Sequence, residues 1–374
     1  MILIVILFQL WTQPSVRILG FGREFAGFIP DPITDLIYNP AYLKMFGKDN
    51  LSFNGLQIYS SMKRLNSVSP DTTIVDLEFF EYKELLSLFV LYPKIGLAYR
   101  VGAWQRFDYR NYYELEPWLY GQEGFLCAFN IGKWIKLGAE YSFSWNNGPD
   151  WYNIVKYDSL NNPHEAAIVH LEWSNEGGLG IILSDNNKWQ FAFAGKKNWE
   201  IDSFAADTTF WVYWPKNEAS EWIRNYGDFQ IISDFRIRIA QVSISADMKY
   251  CERNNHSTNS YRCSYRPGLG IIYQPNNNLL VIGAITYAWS RRDNFTYSQK
   301  IIIPVGFERK FGTDLNFRFG DTFIYEYYDG IYFYAKNKIN LGLDLDVYKN
   351  LRLFFATQNL FENNGWLFGL NFSL

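Results

Sequence analysis

Three histidines and their acidic neighbours are the first candidates for metal binding or catalysis in this chain. His164 and His170 lie six residues apart, with Glu165 and Glu172 close by. On a strand this spacing puts both histidines on one face but about 20 Å apart, which is too far for one metal ion. His256 lies in a polar stretch. We therefore predict no metal site and expect all three histidines to be structural or solvated.

Two alternating acids, Asp344 and Asp346, could in principle form a catalytic carboxylate pair. They belong to a run whose other positions are apolar, so a strand with one wet face is the stronger interpretation. The chain carries no phosphate-binding GxxxxGK[ST] loop, no HExxH zinc motif and no GxSxG nucleophile elbow. We therefore predict a protein that is not an enzyme and that binds no cofactor.

The three cysteines are too few for a disulfide scaffold or for a zinc site with four closely spaced ligands. Cys127 lies in an apolar run and is expected to be an inert thiol, either buried or facing lipid. Cys251 and Cys263 bracket a polar loop and could close it in an oxidising compartment. Two unpaired thiols are favoured, because the sequence cannot show the Cβ separation that a disulfide needs.

The composition is rich in aromatic residues and nearly balanced in charge. Among 374 residues, 19% are aromatic, with 14 Trp, 27 Tyr and 31 Phe, and the net charge is −3. Abundant Trp and Tyr suit a protein with two membrane–water interfaces, although a soluble sandwich with an aromatic core would have the same composition. A pI of about 5.8 gives no indication of a nucleic-acid partner.

From about Leu51 onwards the hydrophobic pattern has a period of two residues. In the stretch 241–250, for example, Val, Ile, Ala, Met and Tyr alternate with Gln, Ser, Ser, Asp and Lys. This alternation is typical of a strand with one apolar and one wet face. No run of 18 apolar residues exists, so no membrane-spanning helix is expected.

Short turn signals alternate with longer polar connections such as 146–165, 202–225 and 252–262. Tight turns at one end and long loops at the other indicate an all-β, transmembrane antiparallel β-barrel. We predict about 14 strands, with 16 as the alternative. Charged residues on the wet faces are then expected to face the lumen and to pair with each other and with the N-terminal segment. These lumen-facing candidates are Arg236, Arg238, Asp247, Arg318, Asp344 and Asp346.

The segment from Arg17 to Leu43 does not follow the strand pattern. Its two Asx–Pro pairs, Asp31-Pro32 and Asn39-Pro40, each place a capping side chain before a proline that suits the first helical position. We predict two short helical turns here. Because one turn of helix is unstable alone, this apolar segment must pack against something larger.

The order of residues in this segment resembles the N-terminal hatch of FadL-type outer-membrane barrels. That superfamily contains long-chain fatty-acid transporters and PorV-like proteins. Its pattern is Gly-x-Gly, then small residues, an acidic residue and Asn-Pro-Ala-x-Leu; Tyr42 stands where the family usually has glycine. The resemblance implies that this segment plugs the barrel. The matching hatch residues are Gly20, Gly22, Asp31, Pro32, Asp35, Asn39, Pro40, Ala41 and Leu43, together with Ala26.

The two ends of the chain suggest export and barrel assembly. The apolar run from Met1 to Leu10 has the length of a signal-peptide core. The last strand carries Gly369, Phe372 and Leu374, an ending that resembles the C-terminal signal read by the bacterial barrel-assembly machinery. We therefore expect a signal peptide at 1–14, a hatch at 15–47 and a barrel at 48–374. The expected location is the outer membrane of a Gram-negative bacterium, in contact with its lipid.

The resemblance implies passive transport of hydrophobic, fatty-acid-like small molecules across that membrane. The alternative is a PorV-like barrel that anchors or scaffolds a secretion or surface-attachment system. For transport, aromatic side chains in the long connections would capture an apolar ligand. These loop aromatics are Trp151, Tyr152, Phe210, Trp211, Trp214 and Trp222.

Overall fold

The computed structural model describes residues 16–45, 52–65, 79–92, 95–110, 113–114, 118–149, 156–157, 163–164, 167–185, 188–207, 222–255, 260–292, 295–328, 332–348, 351–358 and 365–373. The first described segment, 16–45, is called the hatch below. It contains helix α1 (Val16–Phe21), a 3-10 turn (Arg23–Phe25), helix α2 (Pro32–Tyr38) and a second 3-10 turn (Pro40–Met45). The predicted signal segment 1–14 lies outside the described residues.

All other described elements are β-strands. In chain order they are β1 (Ser52–Leu65), β2 (Phe79–Tyr92), β3 (Leu97–Arg110), β4 (Tyr113–Glu114), β5 (Trp118–Ile131), β6 (Ile135–Pro149), β7 (Lys156–Tyr157), β8 (Pro163–His164), β9 (Ala167–Ser184), β10 (Trp189–Asp207), β11 (Trp222–Ile239), β12 (Val242–Asn255), β13 (Ser260–Asn276), β14 (Leu279–Arg292), β15 (Phe295–Phe311), β16 (Leu315–Tyr328), β17 (Tyr332–Tyr348), β18 (Leu351–Gln358) and β19 (Gly365–Ser373).

The long strands pair antiparallel with their neighbours around a ring. The strand β1 pairs with β2 on one side and with β19, the last strand, on the other. The sheet counts 17 strands among the described residues, and one of them is the two-residue β4 beside β3, which leaves sixteen in the ring. The predicted all-β antiparallel barrel is confirmed. The estimate of about 14 strands is two short, and the alternative of 16 applies.

Alternation along each strand separates a lumen face from an outer face. On β6 the side chains of Lys136, Glu140 and Ser142 are buried inside the barrel, while on β5 Phe125 and Phe129 are exposed on the outer face. The polar positions therefore point inwards and the apolar ones outwards, as a bilayer requires. Among the described residues, no helix is long and apolar enough to cross a membrane.

Short hairpins define one end of the barrel, which is called the turn end below. Residues 132–134, 240–241, 277–278 and 312–314 form turns between consecutive strands there. Three hairpin glycines at this end take the left-handed conformation that favours glycine, with φ of 84° at Gly96, 68° at Gly132 and 63° at Gly312. The opposite end carries connections such as 66–78 and 208–221, which lie outside the described residues.

All three cysteines are free thiols. Cys127 is exposed on the outer face of β5, where a lipid-facing position was one of the two expected. Cys251 of β12 lies opposite Ser264 of β13, whereas Cys263 lies opposite Glu252. Adjacent residues of a strand point to opposite faces, so the two thiols are on different sides of the sheet and do not bridge.

Candidate functional site: the hatch within the barrel

Capping side chains at both ends of α2 stabilise the local fold of the hatch. The Asp31 carboxylate accepts a hydrogen bond from the Thr34 amide at 2.9 Å, and Pro32 takes the first helical position of α2. The Asp35 side chain in turn accepts from the Asp31 amide at 3.2 Å, which closes a reciprocal capping pair. Asn39 ends α2, and its side-chain oxygen accepts from the Ala41 amide at 2.9 Å. These bonds satisfy amide groups that a short helix leaves free.

Apolar side chains of the hatch pack against two different sectors of the barrel wall. One cluster joins the second half of the hatch to β3, β5, β9 and β10; the other joins its first half to β13 and β14. Because the hatch touches opposite sectors of the ring, it lies inside the lumen. The first cluster contains Leu36, Ala41, Tyr42, Leu43, Ala98, Leu126, Ala128, Ile182 and Ala192. The second contains Ile18, Phe21, Phe25, Ala26, Phe28, Ile29, Ile272, Leu280, Ile282 and Ala284.

Wall glycines give the hatch backbone room to approach the strands. A Cβ atom added at Gly320 of β16 would lie 1.6 Å from the Phe21 carbonyl oxygen. A Cβ at Gly138 of β6 would lie 2.3 Å from the Ala41 amide nitrogen, and one at Gly180 of β9 would lie 1.9 Å from the Asn39 side-chain oxygen. At each of these positions any larger residue would collide with the hatch. Glycine inside a strand commonly marks such a close approach.

The two hatch glycines of the Gly-x-Gly pattern also lie too close to the barrel wall for a larger residue. A Cβ at Gly20 would lie 2.8 Å from the Cα atom of Gly342 on β17, so two glycines face each other there. Gly22 has a φ of 123°, and a Cβ at this position would lie 2.8 Å from the Asn340 side-chain nitrogen. Both hatch glycines therefore serve packing inside the barrel, and Gly22 also needs its backbone freedom.

Asp35 and Arg236 form an ion pair that ties α2 to strand β11. Two guanidinium nitrogens of Arg236 donate to the two Asp35 oxygens at 2.8 Å each, and a third bond from Arg236 reaches the Gly27 carbonyl at 3.3 Å. Burial raises the pKa of Asp35 to about 6, and the Arg236 charge opposes that rise. The carboxyl group is therefore ionised at neutral pH, and the pair is charge-assisted.

Tyr42 makes a second polar link to the same strand. Its hydroxyl donates to Asp234 at 2.7 Å, and the side-chain amide of Gln190 donates to that hydroxyl. Burial raises the pKa of Tyr42 well above its usual value, so the phenol keeps the proton that it donates. The residue that departs from the family pattern thus supplies a wall contact that a glycine could not make.

Substituting Tyr42 by phenylalanine removes this hydroxyl and leaves a buried Asp234 oxygen without its donor. We expect a loss of about 1–3 kcal/mol in stability, the usual cost of such a deletion. The measurement is the thermal unfolding midpoint in detergent. Tyr141→Phe is the matched control, because the Tyr141 hydroxyl also donates at 2.7 Å, to Asn175, but on the exposed outer face. Equal shifts in the two variants would contradict the role given to Tyr42.

The other end of the hatch is held by a four-residue charge network. Arg17 of α1 donates two hydrogen bonds to Glu308 of β15, at 3.1 and 3.2 Å. Glu308 also pairs with Arg318 of β16, and Arg318 pairs through two nitrogens with Asp344 of β17. The side chains of Arg318 and Asp344 are 2% and 1% exposed, so this part of the network is buried, whereas Arg17 and Glu308 are partly exposed.

Two further contacts also join the hatch to the barrel wall. The Lys338 ammonium donates to Glu24 at 2.9 Å. Burial alone would raise the pKa of Glu24, but the nearby Lys338 charge outweighs it, and the pKa lies below its usual value. The Asn39 side-chain amide donates to two wall carbonyls, those of Ile181 and Phe193, at 3.3 and 3.2 Å. Asn39 thus caps the hatch and joins it to β9 and β10 at once.

The structure brings most, but not all, of the predicted lumen residues to the hatch. Arg236 binds it directly, and Arg318 and Asp344 reach it through Glu308. Asp247 is buried beside Gly27, where an added Cβ would lie 3.1 Å from its carboxylate. The remaining two do not bind the hatch.

Those two residues are Arg238 and Asp346. Arg238 is exposed at the turn end and donates to the Ala240 carbonyl at 3.4 Å. Asp346 pairs with Arg352, which donates to it at 2.8 Å. Neither contact involves the hatch, because each residue lies near the turn end, where a group of its own hairpin is close by.

For several of the predicted loop aromatics and C-terminal signal residues, the side chain or the whole residue is outside the described part of the chain. Trp151, Tyr152, Phe210, Trp211 and Trp214 are outside the described residues, as is Leu374. Trp222 begins β11, and Gly369 and Phe372 lie in β19, opposite Gln57 and Phe53 of β1; only their backbone is described. Ligand capture by the loop aromatics stays a prediction.

Sequence reasoning did not identify Glu308, Asp234 or the wall glycines as hatch contacts. Glu308 ends the apolar run of β15 and is followed directly by Arg309 and Lys310, so the sequence offers no signal that singles it out. The glycines did offer a signal, because Gly138, Gly180, Gly320 and Gly342 each occupy a wet-face position of a strand. Which of these residues contacts the hatch depends on how each strand is aligned with its neighbours around the barrel.

A cavity of about 360 Å³ lies between the hatch and the turn end. Its apolar wall is formed by Phe28, Ile29, Pro30, Ile272 and Leu280, and polar groups surround its rim. These rim groups include Arg17, Lys188, Arg236, Arg238, Gln274 and Glu308. Within the described part of the chain, no group of three or more His, Cys, Asp and Glu side chains could hold a metal ion.

No family model matches the chain, and no curated protein sequence matches it either. Among solved structures, CdiB from Acinetobacter baumannii is similar with a TM-score of 0.51 and 9% identity over 87% of this chain, which spans 60% of the CdiB chain. A FadL homologue from Pseudomonas aeruginosa matches with a TM-score of 0.47, 12% identity and 98% of both chains covered.

A third match is the Ralstonia pickettii toluene transporter TbuX, with a TM-score of 0.46 and 12% identity over 95% of this chain and 98% of that one. One of these matches is thus described as a FadL homologue. At these identities the likeness shows the fold and not the activity.

Proposed function

We propose that this barrel resides in the bacterial outer membrane and lets hydrophobic small molecules pass by diffusion, with the hatch as the movable barrier. The observation that carries the proposal is the way the hatch is held. Its ends are fixed by ion pairs and hydrogen bonds that can break and re-form, and no covalent link within the described chain joins it to the wall.

The cavity on the turn side of the hatch supports the same function. Its apolar wall, made in part by Phe28 and Leu280, offers a place for an apolar molecule that has passed the hatch. Its polar rim faces the turn end, which in outer-membrane barrels is the periplasmic side. The cavity volume of about 360 Å³ falls at the lower limit of small-molecule sites, which are roughly 300–1,000 Å³.

Locking the hatch tests this function directly. A Cβ at Gly27 would lie 3.5 Å from the Cβ of Asp247, a separation within the range of disulfides, so Gly27→Cys with Asp247→Cys can be cross-linked. Gly27 has a φ of 98°, which strains any side chain at this position, so the oxidised and reduced forms of the same variant are compared. The native cysteines are replaced by serine beforehand. We expect that proteoliposomes holding the oxidised variant take up a labelled apolar hydrocarbon at least about tenfold more slowly than the same sample after reduction.

The two single-cysteine variants serve as controls and should respond to neither oxidant nor reductant. Equal uptake by the oxidised and reduced forms would show that the hatch is not the barrier. Absence of uptake in every form, wild type included, would favour the alternative of a PorV-like anchor or scaffold. That alternative needs a partner-binding surface on the long loops, which lie outside the described residues.

A further inference from the structure

An acidic residue, Asp321, lies on the outer face of strand β16. Its neighbours in the strand, Gly320 and Thr322, belong to the lumen face, where the first contacts the hatch and the second is buried. The next two outer positions, Phe323 and Tyr325, are exposed. Because side chains alternate along a strand, the carboxyl group of Asp321 points away from the lumen.

Asp321 also lies near the middle of the part of the strand that crosses the membrane. It is the seventh of the 14 residues of β16, which begins with Leu315 at the turn end. Six steps of about 3.3 Å along a strand tilted by about 45° rise roughly 14 Å. This height is about half of the roughly 25 Å apolar band of a transmembrane barrel. The residues directly opposite Asp321, Val305 of β15 and Ile339 of β17, are apolar.

The carboxyl group of Asp321 is not fully hydrogen-bonded by the barrel itself. Its Oδ1 atom is buried and has no hydrogen-bond partner among the described residues. Lipid chains offer no donor, and ionisable side chains at membrane depth usually pair with another polar group. The residue as a whole is partly exposed, so a donor on a second molecule can reach the carboxyl group.

The same lipid-facing surface carries a donor, Asn337 of β17. Its side chain is exposed, and it lies opposite Phe323, the next outer position after Asp321. Asn337 and Asp321 are therefore diagonal neighbours on adjacent strands, a separation of about 7–8 Å. A hydrogen-bond acceptor and an amide donor thus lie side by side on one face of the barrel.

Apolar side chains flank this polar pair. Phe307 of β15 packs against Phe317 and Phe319 of β16, with ring centroids 5.9 and 5.7 Å apart. An apolar surface with a few polar groups suits association within a membrane, because packing and hydrogen bonds drive contact there.

We propose that the outer face of β15–β17 around Asp321 and Asn337 is the interface of a two-fold symmetric dimer of this chain in the membrane. A two-fold axis along the membrane normal brings Asp321 of one copy to Asn337 of the partner subunit and repeats that contact with the roles exchanged. A second copy therefore supplies two equivalent hydrogen bonds from one self-complementary face. The interface lies on the outside of the barrel and goes beyond the transport function proposed above.

Disulfide formation between two differently tagged copies in proteoliposomes tests the geometry. The native cysteines are replaced by serine, one copy carries Asp321→Cys, and the other carries Asn337→Cys. We expect oxidation to join the two copies, because the two cysteines meet across the axis while the second contact stays intact. Either variant alone should give much less cross-linked dimer. Equal cross-linking in the single-variant samples, or none in the mixture, would overturn the proposal.

Energy transfer between labelled copies in proteoliposomes measures the dissociation constant of the dimer. Asp321→Leu removes both hydrogen bonds and should raise this constant by at least about tenfold. The exchanged variant, Asp321→Asn with Asn337→Asp, restores the same pairing in reverse order and should dimerise as the wild type does. Loss of the dimer in the exchanged variant would show that Asp321 has a different partner.

The matched control is Lys197→Leu, which replaces an exposed charged residue on the outer face of β10, in a different sector of the barrel. It should leave the dissociation constant unchanged. Equal weakening by Lys197→Leu and Asp321→Leu would contradict the interface. A wild type that stays monomeric at every ratio of lipid to protein, or a dimer that persists in Asp321→Leu, would contradict it as well.

Discussion

Valine at position 320 is expected to push the hatch from its place inside the barrel and to open a leak. A Cβ on Gly320 would lie 1.6 Å from the Phe21 carbonyl oxygen and 2.4 Å from its carbon, so the obstacle is backbone and cannot rotate away. Overpacking in a filled core costs about 1–3 kcal/mol, and a backbone collision costs at least the upper end of that range. The first half of the hatch must therefore move.

Single-channel recording in planar bilayers measures the leak, and trypsin cleavage at Arg17 or Arg23 reports whether the hatch has become accessible. Gly283→Val is the matched control. Gly283 lies on the outer face of β14, and a Cβ added there meets nothing within 4 Å. The control should conduct and resist trypsin as the wild type does. A Gly320→Val barrel that remains closed and protected would mean that the hatch is not seated on β16.

Arg318→Leu is expected to be the most destabilising substitution of a charged residue in the described barrel wall. Arg318 is 2% exposed and is bound by both Glu308 and Asp344, so its removal leaves two carboxylates without their shared cation. Breaking a buried ion pair from one side typically costs about 3–5 kcal/mol. Glu308 keeps Arg17 as its partner, whereas Asp344 loses both hydrogen bonds from Arg318, so most of the cost should fall on Asp344.

The loss of stability is measured by heating samples in dodecyl sulfate and separating the folded and unfolded forms by electrophoresis. The temperature at which the compact form disappears should be lower for Arg318→Leu than for the wild type. Arg352→Leu is the control, since Arg352 also forms a double hydrogen bond with an aspartate, Asp346, but its side chain is 43% exposed. An exposed pair contributes about 0–1 kcal/mol. Adding Asp344→Asn to Arg318→Leu should recover part of the stability. A loss in Arg318→Leu no greater than in Arg352→Leu would refute the enclosed network.

Local sequence patterns are enough to predict the strands, the hatch turns and the two faces of the sheet. Alternation with a period of two predicted the strands, and Asp31-Pro32 and Asn39-Pro40 predicted the hatch turns, because strand amphipathicity and helix capping depend on residues fewer than five positions apart. The same local chemistry located the hairpins, where glycine with a positive φ stands in the turn. Outward apolar and inward polar positions followed from that alternation.

Which residues come into contact depends on the closed barrel and does not follow from those local patterns. Asp35 and Arg236 are 201 positions apart in the chain, and Arg17 and Glu308 are 291 apart. Their pairing depends on how sixteen strands close and in which register, and each of those strands alone is compatible with many partners. The glycines at 138, 180, 320 and 342 show the same dependence: a missing side chain is visible in the sequence, but the hatch atoms that fill its space belong to a segment far away along the chain.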